Sequence, residues 1–141
     1  MADLTEYCTR QDVEDVYGGS NIRDWADLDA LEDHTKITAR ITWARLRAFR
    51  RINARLQRRN FAIPFTDETP LPGVIMDIAA DLAGYYLYYG RMLDDEDRTR
   101  DNLRHKFKEA ERVMDEIIKG EIILDAAIQD NTDAPFVRKS S

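Results

Sequence analysis

Between His34 and Arg59 the chain carries nine bases and no acid, on a stretch where apolar residues recur every three or four positions. On a wheel of 100° per residue, Ile37, Ile41, Ala48, Phe49, Ile52 and Leu56 share one side. That spacing predicts a long amphipathic helix over roughly 35–60, capped by Asp33 or Thr35. It also requires other elements to cover the apolar side. Lys36, Arg40, Arg47, Arg51, Arg55 and Arg58 cluster on a neighbouring face. Two residues break the pattern. Arg45 falls inside the apolar stripe, and Trp43 falls opposite it, where an indole of a lone chain would be exposed. Both are expected to contact something outside the chain.

The rest of the sequence supplies helical partners. Thr9 is an N-cap for a short helix with Val13, Val16 and Tyr17 on its apolar edge, and Gly18-Gly19 is its expected stop. Residues 20–33 read as an acidic connection pinned by Trp25, Leu28 and Leu31. Phe61–Phe65 is extended because of Pro64, and a polar turn leads to Pro72 at the start of a helix over about 71–92. Ile75, Ile78, Ala79, Leu82, Tyr85, Tyr86 and Tyr89 form its stripe, and Ala79, Ala80, Ala83 and Gly84 permit a close helix approach. Tyr85, Tyr86, Tyr88 and Tyr89 cover most of its circumference, so some must be core and others must face outward. The last long helix starts at Asp94, with Leu103, Phe107, Ala110, Met114 and Ile117 as its stripe and Lys119-Gly120 as its end. Four acids, Asp94–Asp97, stand at its positive end. Ile122–Leu124 is a short apolar segment, and periodicity stops at Asp125. The expected fold is all-α: a small antiparallel bundle of about four helices, two or three of them long. It occupies 1–124 and is followed by a C-terminal arm, 125–141.

Composition agrees. Hydrophobic residues make up 43% and charged residues 34% of 141, enough for a core, while 6 glycines and 4 prolines are too few for a turn-rich β fold. No apolar run approaches the ~18–20 residues of a membrane span, and the acidic N-terminus lacks the apolar stretch of a secretory signal. A single cysteine, Cys8, excludes an internal disulfide. The expectation is a soluble protein of a reducing compartment.

No catalytic, metal-binding or cofactor-binding constellation is legible. His34 and His105 have no partner at the spacing of a zinc site or nucleophilic dyad and are expected at the surface. Cys8 is expected in or near the core. Asp27 and Asp29 match the first two ligand positions of a calcium loop, but Leu31 and Glu32 fail the rest, so capping and a solvated acidic surface explain them better. Phosphate-loop, dinucleotide and hydrolase motifs are missing, and the chain is expected not to be an enzyme.

Charge carries the remaining signal. Residues 1–33 are net −8, 34–59 net +9, and 60–141 net −7, for −6 overall. A lone basic segment in an acidic chain fits either a nucleic-acid face or pairing within an assembly. The first would make the chain a small nucleic-acid-binding regulator using the helix at 36–59, with salt-dependent affinity. The second would set Arg47, Arg51 and Arg55 of one subunit against acids in residues 20–33 of the next. A subunit interface is then expected at Arg40, Trp43, Arg47, Arg51, Arg55, Arg58, Asp27 and Asp29.

The order of parts also carries a resemblance. Tyr7-Cys8-Thr9-Arg10-Gln11-Asp12-Val13 opens the chain, and an acidic loop leads to a long helix ending at Ile52–Leu56. Phe61-Ala-Ile-Pro64, Pro70-Leu-Pro72, Asp77-Ile78-Ala79, Ala83-x-Tyr85-x-Leu87-Tyr88 and Ile117-Ile-Lys-Gly120 follow in order. Over about 7–124 this resembles the head–tail adaptor (connector) proteins of tailed bacteriophages, in particular the Mu-like prophage group. The resemblance implies a virion protein made in the cytoplasm of the host bacterium. It implies a ring of twelve subunits under the portal protein, in the neck, extending the DNA channel and presenting a surface to the next neck or tail protein. Packaged DNA would pass without sequence-specific contact, and no cofactor or membrane is implied. The arm would grip the portal, with Ile128, Pro135, Phe136, Val137 and Arg138 as its contact residues.

Overall fold

Thr9 begins the first helix by reciprocal capping. Its hydroxyl accepts the Asp12 N–H at 3.1 Å, and the Asp12 carboxylate accepts the Thr9 N–H at 2.8 Å. The computed structural model describes residues 2–57, 61–68, 70–91 and 97–124. Five helices follow in order: α1 (Arg10–Tyr17), α2 (Gly19–Ala26), α3 (His34–Leu56), α4 (Gly73–Arg91) and α5 (Asp97–Lys119). The fold is all-α, as expected, with one helix more than the periodicity gave.

The extra helix corrects the reading of residues 20–33. Gly18, at φ 91°, ends α1 by donating its N–H to the Glu14 carbonyl at 2.7 Å, and it also stands at the N-cap of α2. The glycine pair is therefore a hinge between two helices. α2 buries Ile22, Trp25 and Ala26. Leu28 and Leu31, expected to pin this segment, are instead 44% and 64% exposed.

α3 is capped by Asp33, whose carboxylate accepts from Thr35 and Lys36. Its expected stripe is buried, apart from half-buried Phe49, which packs on the core, and Ala44 joins it. α4 is the central element and packs against each of the other four. Its Ile75, Leu82, Ala83, Leu87 and Tyr88 are all buried, and a full-size aliphatic side chain so placed contributes about 1.5–3 kcal/mol. Trp25 of α2 meets the Tyr88 ring edge-on at 5.2 Å. Tyr17 of α1 lies against Gly84, where a Cβ would come within 1.9 Å of its ring, and its hydroxyl donates to the Asp81 carbonyl at 2.8 Å. Only glycine allows that approach.

α5 buries Leu103, Ala110, Met114 and Ile117, and its half-buried Phe107 stacks on Tyr85 at 4.2 Å. Gly120, at φ 82°, closes the helix. The N-terminal strand-like segment pairs with the 61–67 segment. Leu4 donates to the Phe65 carbonyl at 2.8 Å and Asp67 to that of Ala2 at 2.9 Å. Tyr7 ties the two segments to α3: its hydroxyl donates to Asn53 and accepts the Phe65 N–H at 3.0 Å. Burial pushes the Tyr7 hydroxyl up to about 12. Cys8 is buried, and burial raises its thiol to about 12 despite the nearby Arg45. His34 and His105 are exposed.

Candidate interaction surface

The outward side of α3 divides into three parts. Near its start, Arg40, Trp43 and Arg47 are successive neighbours at helical spacing. The Arg40 guanidinium lies 4.1 Å from the Trp43 ring centre, and Arg47 sits 4.4 Å from the Tyr86 ring and 5.5 Å from Trp43. The planar cations thus lie against aromatic faces, Arg40 half-buried and Arg47 still open to water. Trp43 is half-buried and packs on the core, with its ring 3.4 Å from where a Cβ of Gly90 would stand. The exposed indole expected from the helical wheel is corrected here. Neighbouring arginines and the end of α4 cover much of it.

Farther along, Arg51 and Arg55 meet α5. Arg51 donates to both Glu111 carboxylate oxygens, at 3.2 and 2.5 Å, and Arg55 reaches Glu111 at 2.6 Å and also Asp115. Hydrogen bonding to Glu111 raises the Arg51 pKa further above its ordinary value. Within the chain these two arginines find their acids on α5, not in residues 20–33. The signal in the sequence is that Glu111 and Asp115 repeat the four-residue step of Arg51 and Arg55. Ascending order on both helices makes α3 and α5 parallel, with α4 running opposite between them. Arg45 also has an internal explanation, correcting the expected outside contact. Its Nε donates to the Cys8 carbonyl at 3.1 Å, and it pairs with Glu6. Arg58 lies outside the described residues.

The third part is the loop before α3. The Asp27 carboxylate accepts the N–H groups of Leu31 and Glu32, both at 3.1 Å. Ala30 and Glu32 each adopt φ 54°, a left-handed conformation that costs a non-glycine residue about 1–2 kcal/mol. Asp29 is exposed. The aspartates therefore build and decorate a loop. Ile128, Pro135, Phe136, Val137 and Arg138 of the arm lie outside the described residues.

The basic face is thus partly engaged inside the molecule. Of the bases on described α3 residues, Lys36, Arg47 and Arg50 are exposed without an ion pair, and Arg47 rests against Trp43 and Tyr86, so three cations of the helix remain open to a phosphate backbone or another acidic partner. No described helix is long and apolar enough to cross a membrane.

An all-α fold with a basic helix partly paired inside the molecule belongs, on comparison with known families, among Mu-like bacteriophage proteins. A family model described as "Bacteriophage Mu, Gp36" matches residues 7–138, and the chain belongs to that family. The match extends past residue 124, where the sequence resemblance stopped, and includes the arm through Arg138. No curated protein matches the chain.

Proposed function

We propose that this chain is a structural virion protein of the phage neck, forming a ring under the portal that extends the DNA channel and joins head to tail. The observation that carries this reading is membership of a Mu phage family over nearly the whole chain. The fold is consistent with it. The arginines are spent on aromatic faces and carboxylates, leaving a rigid helical block whose uncovered features suit contact with other proteins.

In this reading the subunits assemble with themselves as twelve, and dock on the portal protein on one side and the next neck or tail protein on the other. DNA traverses the ring without being read. The Arg40–Trp43–Arg47 stack and the 27–33 loop are the parts of the surface best placed to meet a neighbour. The test is genetic and structural. A phage with the gene deleted should accumulate DNA-filled heads and free tails, and the purified chain mixed with portal should give a particle near twelve times 16.4 kDa above the portal mass. Normal virions from the deletion, or a chain that never associates with portal, would overturn the reading.

A further inference from the structure

Between Ala26 and Arg40 the molecule leaves open a groove of about 230 Å³. Ala26, Leu28, Leu31 and Ala39 line it with apolar surface, and Asp27, Asp29 and Asp33 rim it. Lys36 and Arg40 also border it, but the Arg40 guanidinium is held over Trp43. The two leucines are among the most exposed large apolar side chains of the described residues. They are kept outward by a backbone that pays for two left-handed residues, Ala30 and Glu32. Strain that presents apolar surface to water is a mark of a contact site.

The complementary chemistry lies in the chain itself. Beyond Leu124 are 17 residues, and they contain Phe136-Val137 followed directly by Arg138-Lys139. An apolar pair next to two cations matches a leucine-lined groove rimmed by aspartates. Geometry disfavours the chain's own groove. α5 runs parallel to α3, so Leu124 leaves the bundle at the end where α3 finishes, whereas the groove lies where α3 starts. The helix between them measures about 34 Å for its 23 residues. Eleven residues lie between Leu124 and Phe136, and the twelve steps span at most about 40 Å fully stretched. A neighbouring copy can offer its groove without that extension.

We infer that the groove between Ala26 and Arg40 receives residues Phe136–Lys139 of a second copy of this chain. Phe136 and Val137 cover Leu28 and Leu31, and Arg138 and Lys139 face the aspartate rim. The arm, which the resemblance gave to the portal, then links subunit to subunit, and a closed ring multiplies each weak link by effective concentration. This inference does not rest on the neck reading, since it concerns only copies of the chain.

The experiment uses two full-length variants, Leu31→Cys and Val137→Cys, mixed and oxidised mildly, with disulfide-linked peptides read by mass spectrometry. Cys8 is buried with a raised thiol pKa, so it stays out of the reaction. A Gln11→Cys variant, exposed on α1, mixed with Val137→Cys is the reference. The mixed Leu31/Val137 link should form about tenfold faster than the reference, and Leu28→Asp in the Leu31→Cys chain should slow it. Equal rates for the two mixtures would overturn the inference. So would a double variant, Leu31→Cys with Val137→Cys, that links only within single chains when mixed with unsubstituted protein.

Discussion

Asp81 holds a carboxyl in an unfavourable place. It is largely buried on α4, and burial raises its pKa to about 6. Asp77 and Glu109 add to the rise and Lys106 opposes it. The folded state therefore binds this proton more tightly than the unfolded chain, whose carboxyl titrates near 3.8. The stabilisation is full below the unfolded value and is lost as pH rises through about 6. Asp81→Asn is expected to stabilise the fold at pH 7.5 by about 1 kcal/mol once screening by solvent is allowed for, read as a higher melting temperature. It should also flatten the fall in stability between pH 4 and 6, as thermal melts across that range would read. Gly84 gives a change of opposite sign. Gly84→Ala must displace the Tyr17 ring and its bond to the Asp81 carbonyl, so urea unfolding should show a loss of about 2–3 kcal/mol.

At the scale of elements, α3 and α5 are joined by an ion-pair cluster whose most buried member is Arg55, 12% exposed at its side chain. Glu111→Gln removes the shared partner of Arg51 and Arg55 and should cost about 1–3 kcal/mol. A double-mutant cycle with Arg55→Met should give a coupling of at least about 0.5 kcal/mol, and additivity would mean the pair is idle. This cluster also shows what sequence can and cannot disclose. The stripes of α3, α4 and α5 were legible because burial on a helix repeats every three or four residues. The same wheel placed Arg51 and Arg55 on one face. It gave no means of knowing that α5 would lie beside that face, because which helix adjoins which is a tertiary fact. Arg45 is similar: its partners, Glu6 and the Cys8 carbonyl, are nearly forty positions away. α2 escapes a reading by periodicity for a local reason. Eight residues opening on glycine, without a side-chain cap, leave too short a period to stand out. Residue pattern points to capping and a solvated acidic surface for the loop aspartates; that Asp27 ties the N–H groups of Leu31 and Glu32 depends on backbone angles that no pattern states.

For the molecule as a whole, among the described residues Arg55 is paired with little exposure, whereas Asp27, Asp29 and Asp33 rim the groove beside exposed Leu28 and Leu31. Self-association should therefore respond to salt while the fold does not. Raising sodium chloride to about 0.5 M is expected to lower the average mass seen by light scattering, with helical circular dichroism unchanged. Leu28→Asp with Leu31→Asp should have the same effect at low salt. A mass indifferent to both would place the subunit contact elsewhere.

The position of α4 has a further consequence for motion. Each of the other helices leans on it, so none can swing free while the rest keeps its form. Opening large enough to admit water to its middle must be opening of everything. Backbone amides at Leu82, Ala83 and Leu87 should therefore exchange with deuterium only by global unfolding, and the slowest amides of α3 and α5 should share their rate. A bundle whose other described helices all lean on one central helix should open as a single cooperative unit.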